Sequence, residues 1–392
     1  MSVGTGIPTY AVEVGGIERL GSVSTRRRGR RLAGFALAAA AVIACAPDNP
    51  ATNPAGETSG NLAVAGEIVL EGLEVILSDA DVDLSMPAAI DVDADGNIWV
   101  VDRRLHQMLV VSPEGEVLRT IGRNGEGPGE FRGPRGLGIR GDRVYVLDNV
   151  HGVQAFDMEG NYLSEYPAVR IFFDFDFTGD GGLVTNNNRV WARGAMIAAL
   201  GPDGGEPTLF GELPFPDTGF NFRALQEQVL EGIIPDVLRN GALPVAAADG
   251  SLWVVIHTES TIRRYGADGT LLSEISFLLP ELPGIIDQYL ADFAAAPPGD
   301  SFFFPSLVGA AFAIDDSLLL LWETVEGEPG LVTLHGPDGA IVQRLLIPEL
   351  DMGGGGGTVM GLAVDLSRRR LYASVSDIAT IFGIDLPDSV AF

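Results

Sequence analysis

The chain has 392 residues, including 51 glycines and 24 prolines, and a formal net charge of −28. The glycines and prolines favour a turn-rich fold over a helical bundle, and the excess of acids excludes a broad basic surface for nucleic acid or anionic lipid. All 25 basic residues are arginine and there is one cysteine, which excludes lysine Schiff-base chemistry, an intramolecular disulfide and a cysteine-rich zinc site.

The first 44 residues are predicted to be an export leader. An arginine-rich block at 26–31 is followed by 13 small and apolar residues at 32–44. This order is typical of a secretory signal, and 13 residues are too few to span a bilayer, which needs about 20. Residues 24–27 faintly resemble a twin-arginine signal, so the export route stays open. Without the leader, 19 arginines face 51 acids, a charge of −32 that indicates either solubility or divalent-cation binding.

Cys45 ends a segment, Val42-Ile43-Ala44-Cys45, that resembles the bacterial lipobox, in which the cysteine becomes the lipidated first residue of the mature chain. The alternative is a plain secreted protein with an incidental cysteine. Residues 45–66 are small, polar and proline-containing, which predicts a flexible tether. We therefore expect a lipid-anchored protein of the cell envelope, at the outer membrane or the periplasmic face.

The remaining residues, 67–392, repeat one unit. Trp99 and Gly115 are 16 positions apart, and so are Trp253 and Gly269. Each unit has an apolar strand, a polar break, a second apolar strand, an acidic-glycine turn and another strand. One set of turns joins first to second strands, and a second set joins third to fourth strands. The first set is Asp95-Gly96, Gly141-Asp142, Asp180-Gly181, Asp249-Gly250 and Asp315-Asp316; the second is Glu114-Gly115, Glu159-Gly160, Asp203-Gly204, Asp268-Gly269 and Asp338-Gly339.

Five units have four strands each, whereas the sixth, from residue 360, lacks its fourth strand. A spare strand at 67–77 can complete that last unit and close a ring, which protects the sheet edges. The sequence therefore predicts an all-β fold, a six-bladed β-propeller of four-stranded antiparallel blades closed by an N-terminal strand. A β-sandwich with extra hairpins is the alternative, and it leaves the missing strand unexplained.

Residues 89–115, followed by 118–139, resemble the NHL-repeat and related six-bladed propellers of bacterial exported proteins. The resemblance implies fold more than activity, because such propellers host many functions. Some of them are metal-assisted lyases or lactonases, whose sites gather carboxylate, asparagine and histidine side chains at the central channel.

The glycine-rich stretch 121–137 (IGRNGEGPGEFRGPRGL) lacks the features of a phosphate loop. Pro128 stands where a Walker loop needs lysine, and the stretch is a poor helix start for a dinucleotide fingerprint. We interpret it as a joint between two blades, with Phe131 packed between them.

Residues 91–97 (DVDADGN) mimic the start of a calcium loop, and Asp102 falls at its twelfth position. The same residues fit a strand, a turn and a strand, in which these carboxylates need not converge, and this interpretation is favoured. No cofactor is expected, and calcium is the one that stays open.

Four residues are predicted ligand contacts: Arg103, His106, Arg123 and His151. The two histidines occupy similar polar breaks in the first two blades. They are either a metal-binding or catalytic pair, or exposed loop residues. The arginines belong to a positive patch, completed by Arg104, Arg132 and Arg135, that suits a carboxylate or an acidic partner. The alternative is a solvated face with internal ion pairs.

Two insertions interrupt the repeat at 218–240 and 282–296, both with helical apolar spacing. Phe222, Leu225, Val229 and Ile233 form the predicted apolar stripe of the first, and Pro235 is expected to end or kink it. Both insertions follow a fourth strand, so both should emerge on one face. They are either a lid or partner-binding cap, or simple packing against the blades.

Two functions are compatible with these sequence features. The favoured one is a non-enzymatic binding or scaffolding module, a monomer whose partner is an envelope protein, a glycan or a small ligand. No nucleic acid is expected, and membrane contact is through the lipid anchor alone. The alternative, implied by the resemblance, is a metal-assisted lyase or lactonase with its site at the central channel. No defensible catalytic set is present to support it.

Overall fold

The computed structural model describes residues 66–167, 175–187, 194–217, 222–295, 307–314, 316–325, 327–351 and 359–391. The predicted leader, Cys45 and nearly all of the predicted tether lie outside these residues. Among the described residues, no helix is long and apolar enough to cross a membrane.

Two short N-terminal strands, β1 (Gly66–Val69) and β2 (Glu74–Ser78), precede six repeated sheets. The first three blades, in chain order, are β3 (Pro87–Val92), β4 (Ile98–Asp102), β5 (Gln107–Val111) and β6 (Val117–Ile121); β7 (Pro134–Arg140), β8 (Arg143–Asp148), β9 (Gly152–Asp157) and β10 (Tyr162–Tyr166); and β11 (Phe175–Phe177), β12 (Leu183–Asn186), β13 (Ala195–Gly201) and β14 (Gly204–Glu212).

The other three blades are β15 (Leu243–Ala246), β16 (Leu252–Ile256), β17 (Thr261–Tyr265) and β18 (Leu271–Ser276); β19 (Val308–Ile314), β20 (Ser317–Trp322), β21 (Pro329–His335) and β22 (Ile341–Asp351); and β23 (Val359–Asp365), β24 (Arg370–Val375) and β25 (Thr380–Asp385). Strand order within each blade follows chain order, and neighbours within these blades are antiparallel.

The six first strands form a closed ring. Strand β3 contacts β7, and the contacts continue through β11, β15, β19 and β23 back to β3. The predicted six-bladed β-propeller is therefore confirmed. The turns predicted from acidic-glycine pairs join the expected strands, apart from Asp315-Asp316, of which Asp315 lies outside the described residues.

The predicted closing strand, 67–77, is in fact two strands. Only β2 completes the last blade, where it pairs antiparallel with β25. Strand β1 instead adds a fifth, parallel strand to blade five, beside β22. Gly72 lies between them, has φ +88° and donates its N–H to the Glu349 carboxylate. A positive φ is readily adopted only by glycine, which therefore suits the step of the chain from blade five to blade six.

Burial explains why each repeat contains two apolar patterns, a continuous one in its second strand and an alternating one in its outermost strand. The second strands β4 and β16 are buried at every residue, because both of their faces pack against other blades. The outermost strand β6 instead alternates partly buried and exposed residues, because its edge faces solvent. The continuous WVV segments therefore mark the second strands, whereas the outermost strands give a weaker signal.

The antiparallel order divides the loops between two faces of the ring. We call one the loop face: it carries the joints between blades and the loops between second and third strands. The opposite, turn face carries the tight acidic-glycine turns. Hydrogen bonds tie joints to loops on the loop face, as between Glu323 N–H and the Leu307 carbonyl.

The turns between third and fourth strands also lock each blade to the preceding one. A Cβ added at Gly160 would lie 2.4 Å from Ile121 on the outer strand of blade one. A Cβ at Gly339 would meet Ile275 of blade four at the same distance. Glycine is required at these turns both for its positive φ and for the close approach of the next blade.

The two insertions contain helices α1 (Phe222–Leu230), α2 (Asp236–Arg239) and α3 (Leu282–Ala295), and α1 contacts α3. We call these three helices the helical cap. Pro235 was expected to end or kink the first helix, but α1 already ends at Leu230, and Pro235 directly precedes α2. Leu225 and Val229 are buried with Val237. Ile233 was wrongly assigned to the apolar stripe: the helix has already ended, and Ile233 is 51 % exposed.

Candidate ligand site on the loop face

Two buried aspartates, Asp102 and Asp148, organise the loop face of blades one and two. Each ends a second strand. Asp102 accepts hydrogen bonds from the N–H groups of Ser85 and Met86 in the preceding joint, at 2.6 and 3.2 Å. It also accepts from two N–H groups of its own loop, at 2.9 Å each. Both oxygens are thus engaged by backbone amides.

Asp148 repeats this arrangement one blade later. It accepts from the N–H of Arg132 in the joint at 2.7 Å, and from Val150 and His151 in its own loop. Hydrogen bonds from backbone amides satisfy these buried carboxylates. They fix the loops that hold the predicted ligand residues.

The glycine-rich joint has few free backbone donors for a phosphate. Gly127 N–H donates to the Glu130 carboxylate, Gly129 N–H to Gln154 and Gly125 N–H to the Phe131 carbonyl. Phe131 is fully buried, with its ring centroid 5.7 Å from that of Phe156 in blade two. The interpretation as an inter-blade joint with Phe131 as its anchor is confirmed.

Three of the four predicted ligand contacts have partners in this structure. The Arg123 guanidinium pairs with Glu130 at 2.7 Å. His106 has φ +57°, and its Nδ1 accepts the Gly133 N–H at 3.0 Å. The Nδ1 of His151 lies 3.4 Å from Glu165, whereas its Nε2 is buried without a hydrogen-bond partner among the described residues. Both histidines lie on the loop face, and no contact joins them.

The fourth predicted contact, Arg103, is exposed in the loop after β4, and the hydrogen bond from Gly133 N–H to His106 ties that loop to the joint directly before Arg135. Arg135 is the second residue of β7, the innermost strand of blade two, and is partly buried. Its Nε is buried without a hydrogen-bond partner. Within the described part of the chain, neither guanidinium has an ion pair.

Burial and the positive charge of Arg103, opposed by the negative charge of Asp148, together lower the pKa of Arg135 to about 10. Arg135 therefore keeps its charge at neutral pH. Because both oxygens of Asp148 bind backbone amides, this aspartate acts on Arg135 through charge and not through an ion pair. Burying a cation without a partner is unfavourable.

Other polar groups without partners lie on the loop face at blades four and five. His257 is buried in a 3-10 turn (His257–Glu259) after β16, and its Nδ1 has no hydrogen-bond partner among the described residues. Burial lowers the pKa of His257 to about 4. In blade five, burial raises the pKa of Glu323 to about 7, and the neighbouring Thr324 hydroxyl is buried without a partner.

The helical cap is fixed to these two loops. Arg239 of α2 pairs with Glu259 at 2.9 Å and lies over the Phe215 ring, 3.5 Å from its centroid. A Cβ at Gly284 of α3 would be 3.4 Å from Val325, beside Thr324. The cap therefore packs onto the loop face of blades four and five.

The fourth histidine, His335, belongs to the core. The Trp322 indole N–H donates to the Thr333 hydroxyl at 2.8 Å, and that hydroxyl donates to His335 Nε2 at 2.9 Å. His335 Nδ1 donates to the Gly339 carbonyl at 2.8 Å. Burial lowers the pKa of His335 to about 4, so its imidazole is neutral within this chain of hydrogen bonds.

The channel-facing network of blades one to three is an aspartate–arginine–aspartate chain. Arg140 lies 3.5 Å from Asp91 and 2.8 Å from Asp176. Asp91 accepts the Ile139 N–H of the next first strand at 2.7 Å, and Asp176 accepts that of Ala246 at 2.9 Å. Burial raises the pKa of Asp91. These side chains join neighbouring first strands around the ring.

The calcium-loop pattern at 91–102 does not assemble a cation site. Asp93 closes its own turn by accepting from Asn97 and from the Trp99 indole N–H at 2.9 Å, while Asp102 lies at the other end of β4. Among the described residues, no group of three or more histidine, cysteine, aspartate or glutamate side chains could hold a metal ion. The hairpin interpretation of this segment is confirmed.

The sequence did not distinguish Arg135 from its neighbours in the arginine patch. Its position as the second residue of a first strand, directly after the joint, is the signal that could have done so. Nothing in the local sequence marks Glu323 or the Asp91–Arg140–Asp176 chain, because their partners and their burial come from other blades.

Comparison with known proteins agrees with the fold. A family model described as a 6-bladed beta-propeller matches residues 81–178, which span blades one and two and the first strand of blade three. The chain is a six-bladed β-propeller. No curated protein matches the chain.

Solved structures of similar fold include three bacterial proteins. Virginiamycin B lyase from Staphylococcus aureus is 13% identical, over 81% of this chain and 99% of that one, with a TM-score of 0.48. A gluconolactonase from Xanthomonas campestris is 14% identical, over 80% and 89%, with a TM-score of 0.44. The calcium-binding protein regucalcin from Agrobacterium tumefaciens is 11% identical, over 82% and 95%, with a TM-score of 0.46. At such identities the ligands and activities of these proteins do not transfer to this chain.

Proposed function

We propose that this protein is an exported, lipid-anchored propeller that binds a partner or ligand of the cell envelope through its loop face. One observation supports this function above the others: the helical cap lies on that face, together with the loops that hold the buried groups of His257 and Thr324 and with the buried Nε of Arg135. These three groups have no hydrogen-bond partner among the described residues. Other such groups, for example Trp253 Nε1, belong to strands and not to loops. The turn face is built from tight turns that pack against the neighbouring blades.

Loops on a rigid scaffold are the usual place for binding residues, because they vary without loss of the fold. Unpartnered buried polar groups are costly, and a ligand that satisfies them offsets that cost. The leader and the lipobox-like segment before Cys45 support export and anchoring. A partner, a glycan or a small molecule of the envelope is then within reach of the loop face.

Photo-crosslinking in whole cells tests this proposal. A photoreactive residue replaces Val150 or Ile378, which are 55% and 45% exposed in loops of the loop face. Matched controls replace Leu366, 46% exposed on the turn face, and Glu114, exposed in another turn. We expect a discrete crosslinked partner from the loop-face positions alone. Equal crosslinking from both faces, or crosslinking from the turn face alone, would contradict the proposal.

The lyase or lactonase alternative has no observation that favours it. It requires carboxylate, asparagine or histidine side chains that converge on a metal at the channel. In the first strands, Asp91 and Asp176 are already engaged by Arg140 and by backbone N–H groups, and among the described residues no group of three or more histidine, cysteine, aspartate or glutamate side chains could hold a metal ion. Elemental analysis of the purified protein after dialysis in metal-free buffer, with a calcium-dependent melting scan, separates the two functions. A stoichiometric metal or a large calcium shift would favour the enzyme.

A further inference from the structure

We infer that Arg103 and Arg135 form a binding site for the carboxylate group of a monoanionic ligand, on the loop face between blades one and two. This inference rests on the proposed function and names the chemistry of the group that the loop face recognises. The two guanidiniums come from different blades: Arg103 from the loop after β4, and Arg135 from the start of the innermost strand β7.

Several partly buried arginines of this propeller show how acids satisfy such groups. Arg264 reaches Asp249 and Asp316 at 2.9 and 2.8 Å, and Arg344 reaches Glu67 and Glu281. Arg135 differs from these two, because its buried Nε has no partner among the described residues although the body has a large excess of acids.

The nearest acids cannot serve as that partner without disrupting the loops. Asp148 acts on Arg135 by charge, but both of its oxygens already accept backbone N–H groups. Asp102, directly before Arg103, accepts four such bonds and is fully buried. The fold therefore positions two cations and engages both neighbouring carboxylates elsewhere.

The local charge favours a singly charged ligand over a more highly charged one. The two guanidiniums stand beside two carboxylates, those of Asp102 and Asp148, so no large positive excess is present to hold a polyanion. The strongly acidic body repels a more highly charged ligand. A carboxylate is planar and accepts two parallel hydrogen bonds from a guanidinium, so its shape fits this donor set.

The experiment measures binding of sodium glucuronate to the purified chain by titration calorimetry, with glucose as the neutral match and inorganic phosphate at equal ionic strength. We expect glucuronate to bind and glucose not to bind. R135Q should weaken binding by at least about tenfold, a loss of roughly 1.4 kcal/mol. R103Q should weaken it less, because Arg103 is exposed.

R143Q is the matched control. Arg143 is exposed at the start of β8 on the turn face, and among the described residues it has no ion pair. Its replacement should leave glucuronate affinity unchanged. No glucuronate binding by the wild type up to about 10 mM would overturn the inference. A Kd of about 1 mM already corresponds to a binding free energy of only about 4 kcal/mol, so two guanidiniums that bind a carboxylate should reach it. Equal affinity in R135Q, or binding of phosphate in place of glucuronate, would also overturn it.

A second measurement separates ligand binding from a structural role. Without ligand, R135Q removes a partly buried charge that has no ion pair, so the urea midpoint of the variant should match or exceed that of the wild type. A lower midpoint would show that Arg135 stabilises the fold and would overturn the inference. Crosslinking from Val150 that persists in R135Q would leave the loop-face function standing even if carboxylate binding fails.

Discussion

The closure of the ring depends on Gly115, which lies against the backbone of the closing strand β2. Gly115 has φ +91°, and a Cβ at this position would lie 2.3 Å from the carbonyl oxygen of Ile76 in β2. The G115A variant meets two penalties. A left-handed non-glycine residue costs about 1–2 kcal/mol. Moving a packed strand by roughly 1 Å to relieve the overlap costs about 1–3 kcal/mol more.

Gly250 offers a matched control, because its φ is +83° and a Cβ there would meet no atom within 4 Å. We expect G250A to lose about 1–2 kcal/mol of unfolding free energy and G115A about 2–5 kcal/mol, measured by urea unfolding. Hydrogen exchange of the peptide that contains β2 should accelerate in G115A and not in G250A. Equal losses in the two variants, or unchanged exchange in β2, would refute the argument that this contact fixes the closing strand.

Three further predictions concern buried polar groups and the anchor. T333V should destabilise the fold by about 2 kcal/mol or more in urea unfolding, because it leaves the Trp322 indole and His335 without their partner; a loss below about 0.5 kcal/mol would contradict that network. The raised pKa of Glu323, about 7, means that the folded state binds its proton more tightly than the unfolded state, so this contribution to stability is lost as pH rises from about 4.5 through 7. E323Q should therefore be more stable than the wild type near pH 8.5, by at most about 3 kcal/mol, and nearly equal near pH 5 in urea unfolding; parallel pH profiles would count against the buried carboxyl. C45S should abolish incorporation of labelled palmitate and release the protein from the membrane fraction, whereas retained label would contradict lipidation at Cys45.

The candidate site was only partly accessible to sequence reasoning. The spacing of polar breaks placed His106 and His151 on one face, because antiparallel strand order determines where each loop emerges. It did not reveal that Arg123 is paired with Glu130 or that the Nε of Arg135 has no partner among the described residues. Ion pairing depends on side chains several residues apart, or in different blades, whose positions only the folded ring determines.

The sequence by itself determined the architecture, because each element of the repeat has a local physical cause. Continuous apolar segments such as that around Trp99 predict buried strands, acidic-glycine pairs predict hairpins, and the missing fourth strand of the last unit predicts closure from the N-terminus. The tertiary structure decided the division of the N-terminal segment into β1 and β2, since β1 pairs with the open edge of blade five before β2 completes blade six. It also decided which charges are satisfied. Asp102 and Asp148 bind amides of joint residues that precede them by 16 or 17 positions, and among the described residues Arg135 has no ion pair. Hydrophobic periodicity is a property of short segments, whereas burial and charge pairing arise between blades, and they are known only once the ring is closed.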